Sequence, residues 1–220
     1  MDVDFIFDFA SPNAYLCHKA IGSLEENYNI KFHYVPCLLG GIMKLSNNQP
    51  PMISLAEIPN KMKYEFEVAF NRFMREHEID KFKMNEHFPV NTLSLVRGAI
   101  VAQKNNFFEP YIETVMTGMW EQSLKLDTPE MLHQLLTQND CKADFVIEEI
   151  AKDEIKAELI TNTNNAVEKG AFGIPTFFAN GEMFYGKESL RELKEMASWI
   201  LKIFEVQSST IYSHEEFLFN

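Results

Sequence analysis

Phe5-Ile6-Phe7-Asp8-Phe9-Ala10-Ser11-Pro12-Asn13-Ala14-Tyr15-Leu16 is the stretch on which the reading of the fold turns, because an apolar run stops there and a helical pattern takes over. Val3, Phe5, Phe7 and Phe9 alternate with Asp4, Ile6 and Asp8, as a strand in a mixed sheet requires. Ser11 suits a helix N-cap, and Pro12 the first helical position, where a missing N–H costs nothing. An anion placed at this junction would meet unpaired backbone N–H groups and the positive end of a helix dipole. The junction thus sets a hydroxyl beside a site suited to a thiolate or a phosphate, although a serine before a proline also caps many helices with no further duty.

Working outward, residues 13–28 carry Ala14, Leu16, Cys17, Ala20, Ile21 and Leu24 at helical steps, and Ile30, Phe32 and Tyr34 then alternate with polar neighbours up to Pro36. A strand, a helix and a second strand at this spacing predict a parallel pair joined by a right-handed crossover. Residues 42–45 read as a short helical piece, and Ser46-Asn47-Asn48-Gln49-Pro50-Pro51 as a polar loop. The spacing predicts helices over 59–77, 92–104, 109–122, 129–138 and 143–151, with an irregular stretch at 82–89. Sheet grammar returns after a helix over 153–169. Thr176-Phe177-Phe178-Ala179 and Glu182-Met183-Phe184-Tyr185 flank Asn180-Gly181, a strong hairpin signal, and a closing helix is expected over 187–204.

The order β-α-β, helical block, α-β-β-α describes an α/β chain with a thioredoxin-like fold and an all-helical insertion after the second strand. The expected divisions are 1–37 and 153–206 for the two parts of the thioredoxin-like domain, 38–152 for the insertion and 207–220 for a C-terminal tail. In that topology Pro175 lies opposite the start of the first helix, and a cis Ile174–Pro175 bond is expected. Ser11 and the Ile174 backbone then face each other across one crevice.

Composition narrows the chemistry. The chain has 220 residues, a hydrophobic share of 46% and a formal net charge of −12. That charge lacks the basic surplus a nucleic-acid binder needs. No stretch approaches a membrane span, and the start lacks the basic region of a signal peptide. Cys17, Cys37 and Cys141 form neither a Cys-x-x-Cys pair nor an even disulfide set, which points to a reduced, cytoplasmic setting. The six histidines show no metal-ligand spacing. Dithiol exchange at a helix start needs two sulfurs three residues apart. This chain has Ser11-Pro12-Asn13-Ala14 there, which argues against a disulfide oxidoreductase. A serine hydroxyl at that point can donate to a bound thiolate and lower its pKa together with the helix dipole. The nucleophile would then arrive with a cofactor, glutathione, whose cysteinyl unit could pair with the edge at Ile174 while Lys61 or Lys187 meets a carboxylate.

Four segments carry a family resemblance: Asp8 to Leu16, Asn48-Gln49-Pro50-Pro51, Phe88-Pro89-Val90-Asn91-Thr92-Leu93, and Gly170-Ala171-Phe172-Gly173-Ile174-Pro175-Thr176-Phe177-Phe178. In this order they resemble the 2-hydroxychromene-2-carboxylate isomerases and kappa-class glutathione transferases of the DsbA-like thioredoxin superfamily. The resemblance implies a dimeric, glutathione-dependent enzyme with Ser11 as the thiol-activating hydroxyl. It further implies that Asn48, Lys61, Ile174, Pro175, Lys187 and Glu188 hold glutathione, and that Asn91 lines the side of a small aromatic or electrophilic substrate. Where the family has aspartate followed by arginine, this chain has Glu188 and Ser189. Three activities stay open at this stage: isomerisation of an aromatic enone-type acid, conjugation or reduction of electrophiles, and non-catalytic binding. Lys61 and Lys187 also read as solvated helix charges, and Asn91 as a helix cap.

Overall fold

The computed structural model describes residues 1–54 and 57–216, with the backbone alone over 203–216. β1 (Asp2–Phe7), α1 (Pro12–Tyr28) and β2 (Lys31–Pro36) open the chain, and β3 (Thr176–Ala179), β4 (Glu182–Tyr185) and α11 (Ser189–Glu216) close it. The four strands form one sheet in the order β2-β1-β3-β4. β1 runs parallel to β2, with Phe5 opposite Tyr34, and antiparallel to β3, with Phe5 opposite Phe177. The parallel pair follows from the long helical crossover, and the antiparallel β3–β4 pair from its two-residue turn. Asn180 and Gly181 both have positive φ, 50° and 81°, the backbone that a type I′ hairpin demands.

Between β2 and β3 the described elements are all helical: α2 (Leu39–Leu45), α3 (Pro51–Ser54), α4 (Pro59–Lys63), a π-helical turn (Tyr64–Ala69), α5 (Phe70–Glu76), α6 (Leu93–Lys104), α7 (Phe108–Trp120), α8 (Pro129–Gln138), α9 (Ala143–Glu149) and α10 (Asp153–Glu168). One hydrophobic cluster runs from the sheet into these helices, joining Phe5, Phe7, Phe9 and Phe177 to Val96, Ile100, Tyr111, Met116 and Trp120. Each such side chain contributes about 1.5–3 kcal/mol on burial. Phe5 and Phe177 stack with centroids 4.9 Å apart, and Phe7 meets Phe9 edge-on. Among the described residues no helix is long and apolar enough to cross a membrane, and no cluster of His, Cys, Asp and Glu could hold a metal ion.

The structure amends three sequence expectations. β1 ends at Phe7, not at Phe9, because Asp8 turns inward to accept hydrogen bonds and cannot continue the ladder. The helix expected over 59–77 is interrupted by the π-helical turn, which brings the Phe66 and Phe70 rings to 5.4 Å and lets Ala69, Phe70 and Phe73 face the core together. α11 runs past 204 to Glu216, in keeping with a sequence that has no Gly or Pro after Gly186 to stop it. The last part of the expected tail, 217–220, lies outside the described residues.

Candidate active site

Ser11 caps α1 with extended backbone, φ −98° and ψ 114°, and its Oγ accepts the Ala14 N–H at 3.2 Å. Its own proton goes elsewhere: the hydroxyl donates to the Ile174 carbonyl at 3.0 Å. The Ile174–Pro175 bond is cis, as the sequence suggested, and Ser11 and Ile174 are 3% and 6% exposed. Where a crevice was expected between the two, the structure has a buried hydrogen bond linking residues far apart in the chain. The Ile174 N–H donates to no oxygen among the described residues, so this backbone unit keeps a free donor. Gly173 next to it lacks a side chain for a reason: a Cβ there would stand 2.9 Å from the Tyr185 ring, which packs at 4.4 Å on Phe172.

The remaining expected residues separate into two groups. Asn48 joins the site wall, donating to the Phe172 carbonyl at 2.7 Å, and Pro175 is tied to the start of the closing helix through Gly186 N–H to its carbonyl at 2.9 Å. Lys187 is nearly inaccessible, 5% exposed, with its ammonium over the Phe70 ring and 3.1 Å from Glu188. The alternative reading of Lys187 as a solvated charge therefore gives way to a buried cation seated on an aromatic face. Glu188 itself is exposed. Lys61 is exposed on α4, and among the described residues no side-chain bond ties it to the others. Asn91 acts as a local cap, its Oδ1 accepting the Leu93 N–H at 3.1 Å.

Two residues near Ser11 escaped the sequence reading. Asp8, fully buried, accepts from Ala10 N–H, Leu39 N–H and the Thr92 hydroxyl, and burial raises its pKa above the usual carboxylate value against the opposing pull of those bonds. Asn13, in the first turn of α1, holds a buried Oδ1 with no partner. The signal for both was adjacency to Ser11 in sequence. The cysteines lie off the site chemistry: Cys17, Cys37 and Cys141 are free and buried, and burial pushes the Cys17 thiol well up and the Cys37 thiol up to about 12. Such thiols are poor nucleophiles at neutral pH. Two surface hollows, one of about 390 Å³ beside Asp4 and Lys169 and one of about 510 Å³ beside Asn71 and Asp80, do not include Ser11.

A model of the DsbA-like thioredoxin domain matches residues 2–197. The chain belongs to that family. It is 24% identical over 203 residues to glutathione S-transferase kappa 1 of Rattus norvegicus, covering 87% of this chain and 88% of the rat protein. It is 27% identical over 194 residues to the 2-hydroxychromene-2-carboxylate isomerase of Pseudomonas sp. (strain C18), covering 86% of each. The solved structure of a 2-hydroxychromene-2-carboxylate isomerase superposes with a TM-score of 0.79 at 20% identity, over 94% of this chain and 99% of that one. This last likeness shows a shared fold. Within the DsbA-like family the present chain has a hydroxyl, a proline, an amide and a methyl at positions 11–14, and no sulfur.

Proposed function

We propose that this protein is a glutathione-dependent enzyme, an isomerase of an aromatic enone-type acid such as 2-hydroxychromene-2-carboxylate, with Ser11 as the residue that binds and polarises the thiol. The observation that carries the reading is the buried Ser11 hydroxyl at the N-terminus of a 17-residue helix, 3.0 Å from the carbonyl that precedes the cis-proline. The residues fit the tripeptide at its sulfur end. The free N–H of Ile174 and its carbonyl offer one donor and one acceptor to an added peptide unit, and the unpartnered Asn13 Oδ1 awaits a donor on the same helix turn. Asn48 and Pro175 fix the wall behind. Lys61 and Glu188 are the accessible charges assigned to the tripeptide's termini, and Lys187 holds Glu188 from below.

Bound glutathione would supply a nucleophilic sulfur able to add reversibly to a conjugated double bond. Ser11 supports that chemistry by turning its single proton from the Ile174 carbonyl toward sulfur, which together with the α1 dipole favours the thiolate. The carbonyl so released is buried, and leaving it unpaired costs about 1–3 kcal/mol, which an incoming peptide N–H offsets. Asn91 sits on the substrate side in this reading, exchanging its local cap for a carboxylate or phenolic oxygen. A kappa-like transferase acting on small electrophiles is the second reading, supported by the likeness to the rat protein over most of both chains. A non-catalytic binding protein is the third, supported by glutamate and serine at 188 and 189. The buried free thiols suit a cytoplasmic setting. Exposed Met52, Ile53, Ile58, Tyr64 and Val68 suit an interface between two copies of the chain.

Isothermal titration with glutathione tests the proposal. Saturable heat in the wild type, with turnover of an aromatic enone acid on addition of substrate, is expected. Absence of heat would remove glutathione from the function, and heat without turnover of enone acids or aryl halides would leave the binding-protein reading.

A further inference from the structure

We propose that Asp8 is a positioning residue that sets Ser11 and the substrate-side loop in one register, an inference that rests on the glutathione reading for its kinetic consequence but not for its structural one. Asp8 is completely buried, and among the described residues it belongs to no ion pair. An uncompensated carboxylate in such a place is costly. Both of its oxygens are used: Oδ1 accepts Ala10 N–H at 3.0 Å and the Thr92 hydroxyl at 2.6 Å, and Oδ2 accepts Leu39 N–H at 2.7 Å. An asparagine would present N–H₂ to one of these donors, so the arrangement requires an acceptor on both sides.

The three donors come from three separate segments of the chain. Ala10 immediately precedes Ser11, whose own N–H donates to the Asp8 carbonyl at 3.2 Å. Leu39 opens α2, and the turn after α2 carries Asn48, whose amide reaches Phe172 two residues before Ile174. Thr92 stands between Asn91 and α6. One carboxylate therefore fixes the thiol-binding hydroxyl, the wall around Ile174 and the substrate-side amide relative to one another. Reaction between two bound groups is steep in their mutual placement, so loosening this anchor lowers turnover while leaving each separate binding contact in place.

Asp8→Asn is the test, with Thr92→Val and Thr92→Ser beside it. In folded Asp8→Asn protein, amide hydrogen exchange at Ala10 and Leu39 should accelerate about tenfold or more while Phe5 in β1 is unchanged, as the loss of a charge-assisted bond implies. With glutathione and chlorodinitrobenzene, kcat should fall about tenfold or more with KM for glutathione within about threefold. Thr92→Val should fall in the same direction by less, and Thr92→Ser should restore wild-type behaviour. Exchange at the two amides that matches wild type would overturn the proposal, and so would lost protection with unchanged kcat, which would make Asp8 a fold anchor only. Should Asp8→Asn fail to fold, Thr92→Val carries the same two readouts. A wild type with no glutathione-dependent turnover of either an enone acid or chlorodinitrobenzene would refute the functional reading, and the exchange measurement would then decide the anchoring by itself.

Discussion

The Ser11 wall of the site is buried and cross-bonded, whereas the charges assigned to the ends of the ligand face water. Ser11, Asp8 and Ile174 are held by hydrogen bonds between distant segments. Lys61 and Glu188 lie on the surface, and the only ionic partner of Glu188 among the described residues is the buried Lys187. Precision is stored in the inner wall. Reactive placement needs rigid, water-excluded dipoles, while recognition of a flexible peptide's termini tolerates mobile side chains. A change on the inner wall should accordingly reach rate, and a change on the rim should reach affinity.

The largest effect is expected from Ser11→Ala. Loss of one preorganised donor lowers kcat about 100-fold. Stability falls as well, by about 0.5–2 kcal/mol for the missing cap and about 1–3 kcal/mol for the orphaned Ile174 carbonyl. Denaturant titration and steady-state kinetics read the two separately, and an active Ser11→Ala protein would end the contrast between wall and rim. Next in size, Glu188→Ala should weaken glutathione binding about tenfold, the worth of one charge-assisted bond. Lys187→Met should weaken it less than about threefold, because a buried cation acts only through Glu188. Equal losses by calorimetry would show that Lys187 meets the ligand directly.

The smallest effect lies away from both regions, between α1 and α7. The hydrogen bond from His18 at 3.2 Å, with help from Lys19, holds the Glu113 carboxyl down at about 2, against partial desolvation. A depressed carboxylate stabilises the fold above its unfolded value of about 4.3 and loses that contribution as pH falls toward 2. Glu113 is half exposed, so the gain is modest after screening. Melting temperatures of wild type and Glu113→Gln should differ slightly at pH 6 and converge as the pH approaches 2. A constant gap would assign the effect to packing.

Much of this was legible in one dimension. The cap at Ser11, the Asn180-Gly181 hairpin and the extended run at 31–36 are set by local backbone preference, and local preference is what a sequence displays. Asp8 was visible only as the polar face of an apparent strand, because its partners Leu39 and Thr92 lie 31 and 84 residues away. The burial of Lys187 depends on Phe70 arriving from another helix, and the π-helical turn at 64–69 on the packing of Phe66 against Phe70. The partners of Asp8 and the seat of Lys187 are decided by tertiary contacts that spacing does not encode, whereas Phe66 and Phe70 are neighbours four residues apart. Asn48 was singled out through family likeness alone, and its bond to the Phe172 carbonyl, 124 residues away, is a tertiary contact that spacing does not display.

The indole of Trp120 donates to the Phe9 carbonyl at 2.9 Å, inside the turn that delivers Ser11. The chain has two tryptophans; Trp120 is fully enclosed, and Trp199 is 65% exposed. A collisional quencher in solution silences the outer indole first. The emission that survives belongs to the inner one, so the molecule carries an unlabelled optical gauge of the very turn that presents Ser11.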